Sequence, residues 1–376
     1  MPPRTEEYTL GIEEEYQVID PETRELRPHA GRVFRRAQQA LGEEGKATPE
    51  MFAAQIEANS SVCRTLTEVR AEILRMRRGI MEEAAKEGAR IAAASTHPFS
   101  RWQEQPVARK KRYKGLIDSY QRVFRQQLVF GLHVHVGLSD REVAVQVMNR
   151  ARAWLGPMLA LSANSPFWLG ADTGYASYRT QTWSMLPMSG PPGYFGSLAE
   201  HDDLVKTLVS AGIAAAPHKI YWDMRLSEHF ETVEIRVMDM CTRVDEAVMV
   251  AGLARALVRT CHEQVGREEP YPTVRTELLR GAHWLAARYG LVEAELMDVE
   301  EERTVPALQM VEKMMIFLRP ALEENGDWQE VSALVGSTLK HGNGAMRQRQ
   351  TYEHAGQLQD VVDLLIEETA EGADPT

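Results

Sequence analysis

Gly131-Leu132-His133-Val134-His135-Val136-Gly137-Leu138 is the stretch whose reading decides the fold. Successive side chains on a strand point to opposite faces. Leu132, Val134, Val136 and Leu138 therefore cover one side, and Gly131, His133, His135 and Gly137 occupy the other. Four further stretches behave the same way. Thr9–Gln17 sets Glu13 and Glu15 beside Gly11 and Gln17; Gln55–Asn59 aligns Gln55, Glu57 and Asn59. Ile220–Leu226 puts Asp223 and Arg225 on one face, where a local salt bridge between them is expected, and Thr232–Val237 does so for Glu234 and Arg236. Side by side in one sheet, these strands make a hydrophobic floor on one face. The other gathers four Glu, two His and two Arg.

A wet face alone is ordinary for an antiparallel sheet. Glycines next to histidines and glutamates two apart are less so, because glycine weakens a strand unless something must approach closely. Five stretches of compatible chemistry favour an active site. Glu14 is the exception, since it shares a face with Leu10, Ile12, Tyr16 and Val18; a carboxylate there needs a partner, and its role is read as structural.

The 376 residues, 44% hydrophobic, suffice for a large core. A net charge of −11 argues against nucleic acid as the main partner, whereas acidic side chains in a cleft suit divalent cations. Three cysteines without Cys-x-x-Cys spacing fit reduced thiols, and Cys63 has no triad around it. No apolar leader and no run of 18 apolar residues is found, so a cytoplasmic protein without a membrane partner is expected. The basic run Arg109–Lys114 reads as a solvated helix end.

Between the strands, helical spacing covers 32–41, 66–94, 109–128 and 143–163, the last capped by Ser139 or Asp140. Residues 162–197 are dense in Gly, Pro and aromatics and read as a structured loop or lid. From Val244 the chain turns mostly helical, with helices over 244–265, 273–288, 306–322, 328–340 and 348–368. Trp154, Trp284 and the methionines of 310–315 are assigned to the core. With no linker and no internal repeat, the expectation is one α+β domain over 1–376, its C-terminal part (244–370) mostly helical, with helices stacked on the apolar face of the sheet.

Oxygen-rich clusters prefer hard cations such as Mg²⁺, which bridge carboxylates to substrate phosphates. Glu13, Glu15, Glu57, Glu234 and His133 are the candidate metal ligands; His135 and Arg236 are candidate phosphate contacts. A guanidinium fork two residues after a metal-binding glutamate suits charge developing on a transferring phosphoryl group. Arg236, Glu57 and Arg225 are the candidate catalytic residues. Arg179 and Asn164, in the aromatic loop, and His97, at a strand end, are placed within reach of the pocket, Arg179 and Asn164 as nucleotide or substrate contacts. No Gly-x-x-x-x-Gly-Lys-Ser/Thr loop is present, which argues against a P-loop ATPase. The inventory suits ATP-dependent activation of a carboxylate followed by attack of an amine.

Thr9–Tyr16, Gly131–Gly137, Asn164–Trp168 and Val233–Val237 resemble the type 2 glutamate–cysteine ligases, the YbdK-like carboxylate–amine ligases, in order and over nearly the whole chain. The resemblance implies a curved antiparallel sheet like that of glutamine synthetase and the guanidino kinases, with the site on the concave face and helices packed on the convex one. It implies ATP, Mg²⁺ and γ-glutamylcysteine formation, with the same metal and phosphate residues. After Glu57 the sequence Asn59-Ser60-Ser61-Val62-Cys63 replaces the family's Thr-Pro continuation, so the substrate side of the pocket departs from the pattern. The alternatives are the same chemistry with another amine or carboxylate, and a non-catalytic ATP or amino acid sensor. An amidohydrolase-type barrel is disfavoured, because its parallel strands would be apolar on both faces. A homodimer is the base-rate expectation.

Overall fold

The computed structural model describes residues 7–28, 31–33, 38, 46–107, 111–291 and 295–373. Most of the helix expected over 32–41, residues 109–110 of the basic run and 374–376 of the tail lie outside them. Among the described residues a seven-stranded antiparallel sheet runs in the order β2 (Lys46–Pro49), β3 (Gln55–Asn59), β1 (Leu10–Ile19), β5 (Leu132–Gly137), β9 (Thr232–Ile235), β8 (Met224–Leu226). The short β4 (Arg90–Ala92) pairs with the far end of β1. The fold is the expected α+β class, an open antiparallel sheet with helices on one face.

Register aligns the polar faces. Glu13 stands opposite His133 on one side and Asn59 on the other, and Glu15 stands opposite Glu57. Gly11 faces His135, which faces Glu234, which faces Arg225. A one-residue slip would send this whole set to the floor, and the buried Ile12, Tyr16, Val134 and Ile235 forbid it. That floor is covered by α1 (Leu66–Lys86) and α7 (Val244–Gly266), which pack on β1, α7 also on β5, and by α3 (Arg141–Ala151) on β8. A second helical layer, α9 (Ala307–Glu324) and α10 (Trp328–His341), lies on α7, and one apolar cluster runs through sheet and helices.

Glu14 is fully buried on the floor side, as the alternation requires, and its partner is Arg77 of α1, 2.6 Å away and equally buried. The Tyr16 hydroxyl also donates to Glu14, and Arg77 donates to the Cys241 and Thr242 carbonyls. Every charge buried here is matched.

Several boundaries differ from expectation for local reasons. Asp140 is the cap of α3, accepting from Glu142 and Val143 N–H groups at 3.0 and 3.1 Å. The helix expected to reach 163 stops at Ala151 and restarts as α4 (Leu155–Ser162), because Pro157 has no N–H and fits only a first turn. The helix expected over 348–368 is two, α11 (Gly344–Ala355) and α12 (Leu358–Ala370), broken where Gly356 takes φ +74°. Trp154 is buried and stacked on Phe317, but Trp284 is 43% exposed, against its assignment to the core.

The aromatic segment is ordered. It forms a hairpin, β6 (Phe167–Trp168) with β7 (Ala171–Asp172), then the short α5 (Tyr178–Trp183). Buried Asp239 anchors it, accepting from Ser165 Oγ at 2.7 Å and Ser177 Oγ at 2.8 Å. α5 packs against α8 (Thr276–Tyr289).

Candidate active site

The polar face of the sheet forms the wall of an open cleft of about 990 Å³, lined among others by Glu13, Glu15, Glu57, His133, Arg225 and Arg236. Glu13 sits between the imidazoles. Its Oε2 is 2.9 Å from His133 Nδ1 and its Oε1 is 3.2 Å from His135 Nε2. Burial opposes ionisation of Glu13, yet the two imidazoles, His133 foremost, hold its carboxyl well below the usual range. Burial and the Arg236 charge push His133 down to about 4, so it is neutral at pH 7. His135 goes the other way: burial works against its charged form, but Glu13 and Glu234 outweigh burial and raise it.

Glu234, 3% exposed in its side chain, is a hub. Arg225 grips it with Nε at 2.6 Å and Nη2 at 3.1 Å, and Arg236 reaches it from two residues along. Burial resists its charge, but the two guanidinium groups, Arg236 first, keep it ionised far into acid. The salt bridge expected between Asp223 and Arg225 is therefore absent. Alternation put both on one face, but the register set Arg225 against Glu234, and Asp223 pairs instead with His283 Nδ1 at 2.9 Å. Arg236 keeps one buried donor, Nε, without a partner among the described residues.

At the other end Glu15 accepts from the Gly131 N–H at 2.7 Å. Burial, with the Glu50 charge adding, lifts its carboxyl to about 7. Glu57 rises well above the carboxylate range through burial and the charges of Glu13, Glu50 and Glu15. Carboxylates this close cannot all ionise unless a cation joins them. Gly131 shows why a glycine begins the His-x-His strand: a Cβ there would meet Arg179 Nη2 at 2.6 Å and His133 Nε2 at 3.2 Å.

The donor set fits a hard cation. Ligand atoms of Glu13, His135 and Glu234 lie within 4.8 Å of one another. His135 Nε2 is buried, 3.2 Å from Glu13 Oε1, while Thr232 Oγ1, 2.9 Å from Nδ1, fixes the ring. This grouping includes His135, placed by sequence with the phosphates; His133 also borders it, its Nδ1 being 4.0 Å from Glu234 Oε1.

Arg179 lines the cleft and donates to the Arg236 carbonyl at 3.2 Å. Asn164 and His97 do not join the cleft. The Asn164 amide donates to Met240 O at 2.7 Å and Thr242 Oγ1 at 2.8 Å and accepts from Gln348. Both faces of its side chain are thus used in packing the loop. His97 is wholly buried, its Nδ1 accepting from Ser100 N–H at 2.9 Å and its Nε2 lying 2.8 Å from the Arg24 carbonyl. Sequence reading missed Glu50, Tyr113, Tyr221 and Trp183, which also line the cleft. Glu50 sits in a connection with no period to mark it, whereas Tyr221 shares the alternation of Asp223 and Arg225, a signal that was there to be read; on the other side only the position of Gln55 on the Glu57 face gave one.

An open antiparallel sheet carrying glutamates, imidazoles and two arginines on one face suits cation-assisted phosphoryl transfer, and relatedness to known proteins gives the class, a ligase that forms C–N bonds. The model of glutamate–cysteine ligase family 2 matches residues 9–364. The chain belongs to this family. It is 40% identical over 365 residues to a protein of Herpetosiphon aurantiacus provisionally named glutamate–cysteine ligase 2, covering 97% of this chain and 94% of that one. It is 41% identical over 379 residues to a similarly named protein of Frankia alni, covering 98% of each. Among solved structures, glutamate–cysteine ligase of Francisella tularensis in complex with AMP matches with a TM-score of 0.71 at 13% identity, over 99% of this chain and 90% of that one. A bifunctional glutathione synthetase of Pasteurella multocida matches with 0.72 at 16% identity, over 98% of this chain and 53% of that one. At such identities the likeness is one of fold. Among the described residues no helix is long and apolar enough to cross a membrane.

Proposed function

We propose that the protein uses ATP and Mg²⁺ to activate the γ-carboxylate of glutamate as an acyl phosphate, which the amine of cysteine then attacks. The observation that carries this reading is Glu234, whose carboxylate lies in one cluster with Glu13 and His135 and in another with Arg225 and Arg236. A cation-binding set and a guanidinium pair that share one carboxylate are what phosphoryl transfer asks of a protein.

Glu13, Glu234 and His135, with His133 alongside, would hold one cation; Glu15 and Glu57 would hold another. The cations supply charge neutralisation on the phosphates. The remaining steps fall to side chains of this chain. Arg236, with its unpartnered Nε, donates to the transferring phosphoryl group, and Arg225 steadies Glu234 so that Arg236 keeps its angle. Arg179, at the cleft wall, takes the carboxylate of the amino acid substrate. The γ-carboxylate oxygen attacks the terminal phosphorus and ADP leaves; the amine nitrogen attacks the acyl carbon, the C–O bond breaks, and phosphate leaves with the electron pair and takes up the proton the nitrogen sheds. Continuity of the apolar cluster from sheet to C-terminal helices supports reading 1–376 as one catalytic unit. Homodimerisation and a cytoplasmic setting belong to the same proposal, on base rates alone.

The test is ADP release from ATP and Mg²⁺ with glutamate and a panel of amines, cysteine included. Stimulation by cysteine supports the proposal. Stimulation by another amine alone would retain the chemistry and reassign the acceptor. ATP binding without turnover under any combination would favour the sensor.

A further inference from the structure

A second open cavity, of about 760 Å³, lies behind the cleft wall and shares Arg179 and Trp183 with it. α8 contributes Arg280, His283 and Trp284 to its lining, and Asp223 also lines it. His283 is 4% exposed and Asp223 7%, so this is a buried pair facing a solvent-filled space. The Asp223 carboxylate, 2.9 Å from His283 Nδ1, selects the tautomer with its proton on Nδ1. Nε2 then carries a bare lone pair, and it has no partner among the described residues. A buried acceptor left without a donor is costly, which points to a donor arriving from a ligand. Arg280 is exposed at the rim and offers a planar fork suited to a carboxylate. Trp183 and Trp284 add two indole faces. The backbone ties this site to the first: the Asp223 carbonyl accepts from the Arg236 N–H at 2.8 Å.

We infer that this cavity is the acceptor subsite: it takes a free amino acid, whose amine donates to His283 Nε2, whose carboxylate meets Arg280, and whose side chain lies against Trp183 and Trp284. The inference rests on the ligase reading, and the acceptor waits at the boundary the two cavities share.

The test is titration calorimetry of the full chain with each of the twenty common amino acids as probe, in wild type, Arg280→Glu and His283→Asn. Asparagine keeps an amide N–H toward Asp223 and removes Nε2. Arg280 is exposed, so its charge reversal keeps the fold even if the His283 variant does not. At least one amino acid other than glutamate is expected to bind, at least tenfold more weakly in both variants, with ATP affinity unchanged. No binding by any of them, or equal affinity in wild type and Arg280→Glu, overturns the inference. Failure of the ligase reading looks different: binding that responds to both variants, with no ADP release when that amino acid, glutamate and ATP are combined. That result upholds an amino acid site and removes its role as acceptor.

Discussion

Replacing Arg236 with alanine tests whether the hub at Glu234 performs phosphoryl transfer. The guanidinium is 8% exposed, bound to Glu234 and turned toward His133 at 3.4 Å, with Nε unpartnered. Two consequences follow and can be measured separately. The fold loses one charge-assisted hydrogen bond, about 1.5–3 kcal/mol, while Arg225 still neutralises Glu234. The reaction loses a pre-placed donor at developing charge, which lowers kcat about 100- to 1,000-fold. Rapid-quench measurement of ADP formation separates kcat from KM, and chemical denaturation measures the stability change. Arg236→Lys keeps the charge without the fork and should recover only part of the rate. An Arg236→Ala enzyme with unchanged kcat and only a raised KM for ATP would refute this reasoning.

Glu13→Gln removes the carboxylate between the two imidazoles; Mg²⁺ binding by calorimetry and turnover should both be lost, with the melting temperature little changed, and retained turnover would count against the metal assignment. Arg77→Leu strands the Glu14 carboxylate in the apolar floor and should cost about 3–5 kcal/mol in denaturant unfolding; a cost under about 1 kcal/mol would show that the pair is not what neutralises that charge. Burial holds His97 near pKa 4 against 6.5 unfolded, so between these values the unfolded chain binds a proton the fold refuses. Its share of stability is present above pH 6.5 and drains as pH falls toward 4; between pH 7 and 5 it amounts to about 2 kcal/mol. The difference in unfolding free energy between wild type and His97→Asn should shrink by that amount over this range, and an unchanged difference would contradict it.

The period-two alternation of β1 and β5 was enough to read the sheet and to place Glu13, Glu15, His133 and His135 on its polar face, because burial of the opposite face leaves only one register. What the residues could not reveal was which polar neighbour each would choose. Asp223 and Arg225 are two apart and look paired, yet their partners, His283 and Glu234, come from a distant helix and the adjoining strand. The partner of Glu14 lies 63 residues away on α1. Asn164 sits in a Gly/Pro/aromatic loop that looks like a substrate loop, but its amide is consumed by Met240, Thr242 and Gln348, a tertiary network with no local pattern. Glu50 enters the cleft from a connection between strands, where no periodicity marks which side chains turn inward. Local punctuation was legible in kind: Pro157 and Gly356 break helices by rules visible in sequence, although the helical spacing runs past both.

The most direct measurement follows oxygen. Glutamate labelled with ¹⁸O in its γ-carboxylate is incubated with the enzyme, ATP, Mg²⁺ and hydroxylamine, which serves as a small nucleophile whatever the native amine, and the phosphate released is analysed by mass spectrometry. An acyl phosphate formed in the cleft transfers one labelled oxygen to each phosphate and leaves γ-glutamyl hydroxamate. Unlabelled phosphate accompanying hydroxamate, or ADP release that ignores glutamate, would contradict the account.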